Sequence, residues 1–325
     1  MTSTNDNLEQ PKRPSRLRII ASLTLLAIFA GAAWWYLREN WDEVARLRIA
    51  KPIWLIPIIA GFIAIFFLQA IVSQGMLRVF SIHMPFNESM RLSNATTLLN
   101  FLLPAQGGMG LRAIYLVKVY RCPLIDFVSM TGALAILSIL LNTGLGFVAM
   151  LWIALSGGPF DIVIAGVFAA ILCSVLGGVA ALPRLTSLKR LRGTKVERLM
   201  NGLNAVKASR RELVPVLYAI VGQSLAAVIG YYSIFSAFGL SFDAPSAIVL
   251  LASASVGGLF NFTPGAIGFQ ELAGMYLATI FPTSPAETLV ALGAYKIIWI
   301  CVAMIFGLPG ILALRWRIKD PGHGA

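Results

Sequence analysis

The sequence predicts an all-α polytopic integral membrane protein with about six full spans and two broken, re-entrant helical hairpins in an inverted-topology repeat. Three observations carry that class. Of 325 residues, 58% are hydrophobic and 12% charged, with a mean hydropathy of +0.80; a soluble domain carries about 25% charged residues. The apolar residues gather into runs of membrane length divided by basic segments. Two of the runs are interrupted near their middles by Pro and Gly. Such a composition leaves no polar shell for a soluble enzyme, and it excludes a disordered chain or a disulfide scaffold. The net charge of +12 fits loops facing anionic lipid rather than nucleic acid. Cys122, Cys173 and Cys301 lie far apart without a CxxC, and there are two histidines. No metal site and no cofactor is therefore expected.

Residues 1–18, with Lys12, Arg13, Arg16 and Arg18, form a polar tail. The first apolar run, 19–37, resembles a signal peptide, but Trp34, Trp35 and Tyr36 stand where small residues would mark cleavage, so it is an uncleaved span with an aromatic belt. Residues 38–51 mix charge with Trp41 as a short interfacial helix or loop, and 52–77 spans. The run 92–103 is too short to cross a core of ~30 Å. It stops at Pro104, passes Gly107, Gly108 and Gly110, and resumes to 119. Spans follow at 124–155 and 160–182. In the basic stretch 184–212, Val196, Leu199, Met200, Leu203 and Val206 share one helical face, which predicts an amphipathic surface helix on anionic lipid. A span at 213–238 leads to 246–262, which breaks at Pro264 and Gly265 and resumes through Gly268 to 281. The last span, 288–314, is closed by Arg315, Arg317 and Lys319 in the tail 315–325. The membrane domain is thus 19–314, with a first repeat at about 52–155 and a second at about 213–314.

Charge sets the orientation. With both hairpins returning to the side they enter from, 21 Lys/Arg lie on the inside and four outside, all in 38–51. If either hairpin crossed fully, the basic stretch or the C-terminal tail would move outside, against the positive-inside bias. Both termini are expected in the cytoplasm.

The two broken segments resemble each other at an offset of 161 residues, with Asn100/Asn261, Phe101/Phe262, Gly107/Gly268, Tyr115/Tyr276 and Leu116/Leu277 among seven identities in 19 positions. Breaking a helix in lipid strands backbone groups unless protein or water satisfies them, so such breaks gather at cavities. Glycines here also allow close helix packing. The freed N–H groups of each second half-helix offer an anion a partly positive end.

Arg112 and Glu271 follow the two breaks, and Lys296 lies within the last span. An ionisable group at the bilayer centre costs at least ~2.5 kcal/mol, so Glu271 should pair with Lys296 or Arg112. One reading is a structural ion pair that closes the hairpin. The other is that Arg112 or Lys296 binds an anionic headgroup, with Glu271 binding a cation or adjusting their charge. Asn100 and Asn261 complete the candidate substrate-binding set. Gln69, Gln74, Asn142 and Gln223 read as interhelical glue, and Trp and Tyr at span ends read as belt residues.

The segment 103–112, LPAQGGMGLR, resembles the first signature of the lysylphosphatidylglycerol synthase transmembrane-region family, roughly L-P-x-R-x-G-E-x-x-R. Residues 264–271, PGAIGFQE, resemble the second, P-x-x-x-G-x-x-E, and Tyr295-Lys296 resembles a following Tyr-Arg pair. Gln106 and Met109 stand where the family has Arg and Glu, and the span after Pro123 lacks a Glu-Arg…Asp pattern. The family includes the flippase-like domain of the bacterial multiple peptide resistance factor. The resemblance implies a bacterial inner-membrane translocase for an anionic or aminoacylated lipid, phospholipid or polyprenyl-linked, without the synthase domain. The alternatives are a non-transporting partner of a glycosyltransferase or envelope-lipid complex, and a membrane-embedded transferase. No catalytic constellation or nucleotide loop supports an enzyme.

The charge count generates a test. Cysteine labelling from outside should miss Ser187→Cys and reach Ser284→Cys; the opposite pattern reverses the orientation.

Overall fold

A computed structural model of the chain describes residues 16–103, 107–186, 202, 204, 209–258, 263 and 267–319. These are helical almost throughout. In order they form α1 (Arg16–Glu39), α2 (Trp41–Arg46), α3 (Leu55–Val79), α4 (Phe86–Leu102), α5 (Gly107–Tyr120) and α6 (Leu124–Leu155), then α7 (Ile162–Thr186), α8 (Arg210–Ala237), α9 (Ala244–Gly257), α10 (Phe269–Ala278) and α11 (Pro285–Lys319). Among the described residues, five helices are long and apolar enough to cross a membrane, within α3, α6, α7, α8 and α11. Helix α1 covers the first predicted span. The predicted surface helix of the basic stretch, with Val196, Leu199, Met200, Leu203 and Val206, lies outside the described residues.

The interruptions fall where Pro and Gly stand. Helix α4 ends at Leu102 and α5 begins at Gly107; α9 ends at Gly257 and α10 begins at Phe269. The second helix of each pair packs back on the first. At 14, 14 and 10 residues, α5, α9 and α10 are each shorter than a span.

Helix α4 begins six residues before the apolar run at 92, directly after Pro85, whose carbonyl accepts the Glu88 and Ser89 N–H groups. The added turns are polar, and Glu88, Ser89, Ser93, Asn94 and Thr96 are buried. A helix this polar cannot face lipid. It is enclosed by α3, α5 and α11, and Ser89 Oγ donates to Ala70 O of α3 at 2.9 Å. Many large apolar side chains are conversely exposed, as at Val148, Leu155, Ile162 and Leu176, which suits a lipid-facing surface.

Packing between the halves is reciprocal. Helix α3 lies along α8, α6 along α9, and α11 along α4. The long helix after each break thus covers the first half-helix of the other half. Glycines bring these helices close. A Cβ on Gly146 of α6 would collide with Ala252 of α9, and a Cβ on Gly307 of α11 would collide with Leu98 of α4. Gly146 and Gly307 are themselves 161 residues apart.

Gly146→Ala should therefore destabilise the protein by about 1–3 kcal/mol, the usual result of overpacking. At Gly132 of the same helix an added Cβ meets nothing within 4 Å, so Gly132→Ala should stabilise by about 0.5–1 kcal/mol. Melting temperatures of the purified variants check both signs.

Candidate functional site

At the second break the chain supplies its own anion. Gly268 has φ +99°, a conformation that favours glycine, and a Cβ there would also strike the Phe29 ring. It caps α10, whose third residue is Glu271. Glu271 Oε2 accepts the Gly268 N–H at 2.7 Å, so the carboxylate satisfies a freed amide and meets the positive end of the helix dipole. Glu271 Oε1 lies 2.6 Å from Lys296 Nζ of α11. Among the described residues, Nζ makes no hydrogen bond of regular geometry, and neither does Trp299 Nε1 one turn along the same helix. Lys296 Nζ thus has the Glu271 carboxylate as its one partner, while Trp299 Nε1, among the described residues, remains without an acceptor.

The first break is closed differently. Asn100 Oδ1 of α4 accepts the Met109 N–H near the start of α5 at 3.2 Å. Gly108 permits that approach, since a Cβ there would collide with Thr96 O and Asn100 Oδ1. Gly110, which the 161-residue offset places opposite Glu271, faces open space. One half-helix is thus capped by a neutral amide, the other by a carboxylate.

Between the breaks lies a cavity of about 340 Å³, within the range of small-molecule sites. Asn100 and Phe101 line it from the first hairpin, Gln270 and Glu271 from the second, Tyr295, Lys296 and Trp299 from α11, and Tyr231 from α8. Its aromatic wall is continuous. Tyr231 stacks on Tyr295 with centroids 4.7 Å apart, and Trp299 stacks on Phe66 at 5.1 Å.

The structure brings Asn100, Glu271 and Lys296 together and leaves Arg112 out. The Arg112 guanidinium is buried; Nη2 donates to Ser73 Oγ of α3 at 2.5 Å. Arg112 does not line the cavity, and of the two partners expected for Glu271 the structure has Lys296. Asn261, Pro104, Pro264 and Gly265 lie outside the described residues. The polar residues read as glue do bridge elements: Gln223 Nε2 donates to Gln69 Oε1 at 3.0 Å, Asn142 Nδ2 to Ser255 Oγ at 2.9 Å, and Gln74 Nε2 to Met84 O at 2.8 Å.

Sequence reasoning missed Gln270, Tyr231 and Trp299, and took Tyr295 only as part of a motif. Trp34, Trp35 and Trp41 are exposed as belt residues should be, but Trp299 sits mid-helix. Its spacing of three from Lys296 was the available signal, since i and i+3 share a helix face.

A family model described as the lysylphosphatidylglycerol synthase TM region matches residues 19–317. No curated protein and no solved structure matches the chain.

The role of Asn100 at the first break is testable. Asn100→Ala leaves the Met109 N–H without its acceptor and should cost about 0.5–2 kcal/mol, the range for a lost N-cap. Gly110→Ala, in open space, should leave the melting temperature near that of the unmodified protein.

Proposed function

The chain belongs to the lysylphosphatidylglycerol synthase transmembrane-region family, whose model matches nearly all of it, and from that premise we propose that this multi-pass membrane protein translocates an anionic or aminoacylated lipid headgroup through the cavity between its two broken helices. The observation that carries this reading is the cavity itself. It combines an ion pair whose cation has no second partner among the described residues, the indole N–H of Trp299 without an acceptor among them, and a stacked aromatic wall, inside a bundle that exposes many large apolar side chains.

A phosphodiester oxygen suits Lys296 Nζ and Trp299 Nε1, because either donor left alone carries the desolvation cost of an unsatisfied buried group. Glu271 stays fixed by the Gly268 N–H and presents its charge to an ammonium group, which the Tyr231 and Tyr295 rings also favour. In this reading the protein acts as a carrier, with the cavity supplying charge and shape to a headgroup. In this reading the halves are inverted repeats, supported by the offset of 161 residues and the reciprocal packing of α6 on α9 and α11 on α4. The distribution of Lys and Arg supports a bacterial cytoplasmic membrane location with both termini inside, and the basic stretch 184–212 rests on anionic lipid.

Glu271→Gln should lower stability by roughly 3–5 kcal/mol, because it strands a buried cation. Combining it with Lys296→Met should restore stability, as no unpaired charge remains. Lipid transport by the double variant in liposomes decides between the roles. A stable double variant without transport is expected. A stable one that transports at the unmodified rate would show the pair to be structural and sink the site.

A further inference from the structure

A second space adjoins the cavity. Between α1 and the α10–α11 pair runs a groove of about 530 Å³. Ala30 and Ala33 line it from α1, Leu272 and Met275 from α10, and Gly293 and Ile297 from α11. Among the described residues, two line both this groove and the cavity, Glu271 and Lys296. The ion pair is therefore the partition, with a polar, hydrogen-bonding chamber on one side and an apolar channel on the other.

Helix α1 holds the groove open. Among the described residues it packs closely only with α2. It touches the second hairpin through Phe29, whose ring stands edge-on to Phe269 with centroids 5.3 Å apart and lies against Gly268. Beyond that pivot α1 presents Ala30 and Ala33 to larger apolar side chains such as Leu272, Met275 and Ile297, and a Cβ added to Gly293 would meet nothing within 4 Å. An apolar gap of this size beside lipid fills with hydrocarbon, because unfilled walls forfeit their dispersion contacts.

We propose that the groove binds one acyl chain of the glycerophospholipid whose headgroup enters the cavity, and that the Glu271–Lys296 pair is the lateral gate the headgroup crosses. This rests on the headgroup reading above. The gate parts on one side only, because the Gly268 N–H retains Glu271 while Lys296 Nζ has no second partner among the described residues. The charge of the chamber selects the lipid class. Among the described residues Lys296 is the single cation lining it and is already opposed by Glu271, which suits a monoanionic phosphodiester better than the diphosphate of a polyprenyl-linked sugar.

Photo-crosslinking of the full chain in nanodiscs tests this. The probe is phosphatidylglycerol with a diazirine in its acyl chain, and cross-linked peptides are mapped by mass spectrometry. Cross-links should concentrate at 29–36 and 289–300. Ala33→Trp and Gly293→Leu, which fill the groove from opposite walls, should each lose most of them at unchanged melting temperature. Leu176→Trp, on the exposed face of α7, should not. Labelling spread evenly over the lipid-facing helices, or kept by both filled variants, overturns the groove. Labelling by a diazirine polyprenyl phosphate in preference to phosphatidylglycerol overturns the acyl assignment. Calorimetry with deacylated glycerophosphoglycerol tests the cavity separately. Binding that survives Ala33→Trp supports the division of labour, and absence of binding to the unmodified protein sinks the headgroup reading while the cross-links still judge the groove.

Discussion

Everything in this bundle depends on closing hydrogen bonds where helices stop short inside an apolar solvent. Water is not there to take the freed amides, so each break needs a built partner. The first break takes an amide oxygen from the facing half-helix, Asn100 to Met109. The second takes a carboxylate from its own first turn, Glu271 to Gly268. From that difference the rest follows. A carboxylate at membrane depth calls for a cation, which places Lys296 on α11. The pair then needs walls that tolerate charge, supplied by the Tyr, Trp and Asn side chains around the cavity.

The same constraint explains helix α4. Its buried Glu88, Ser93, Asn94 and Thr96 could not face hydrocarbon, so the helix is sheathed by three others. Arg112 belongs to this half of the molecule, buried beside Ser73. Tyr115 OH donates to Glu88 close by. Buried ionisable groups thus lie in both halves of the fold; the Glu271–Lys296 pair borders the cavity, whereas Glu88 borders a smaller pocket of about 190 Å³.

Much of this was legible in the sequence, for identifiable reasons. Span existence follows from composition, and the breaks follow from Pro104, Gly107, Pro264 and Gly268, residues whose backbone chemistry is local. The Glu271–Lys296 pair was one of two pairings open to Glu271, because charge at depth forces pairing but spacing along the chain does not choose the partner. The start of α4 was misplaced, since hydropathy sees only the apolar turns while the polar ones are stabilised by neighbours far along the chain. Trp299 and Tyr231 were hidden for a similar reason. Aromatic residues near membranes usually belong to the interface, and only tertiary packing turns them inward.

The exchange of long helices between halves bears on how the protein is made. Helix α4 emerges early in synthesis, yet its polar face is covered by α11, the described helix furthest along the chain. Until α11 arrives, Asn94 has no protein wall on that side. The early hairpin must therefore wait at the membrane surface or beside the insertion machinery, and the bundle closes only once the last described helix has been made. A chain shortened before α11 would lose more than one helix, because the first hairpin would have no place to settle.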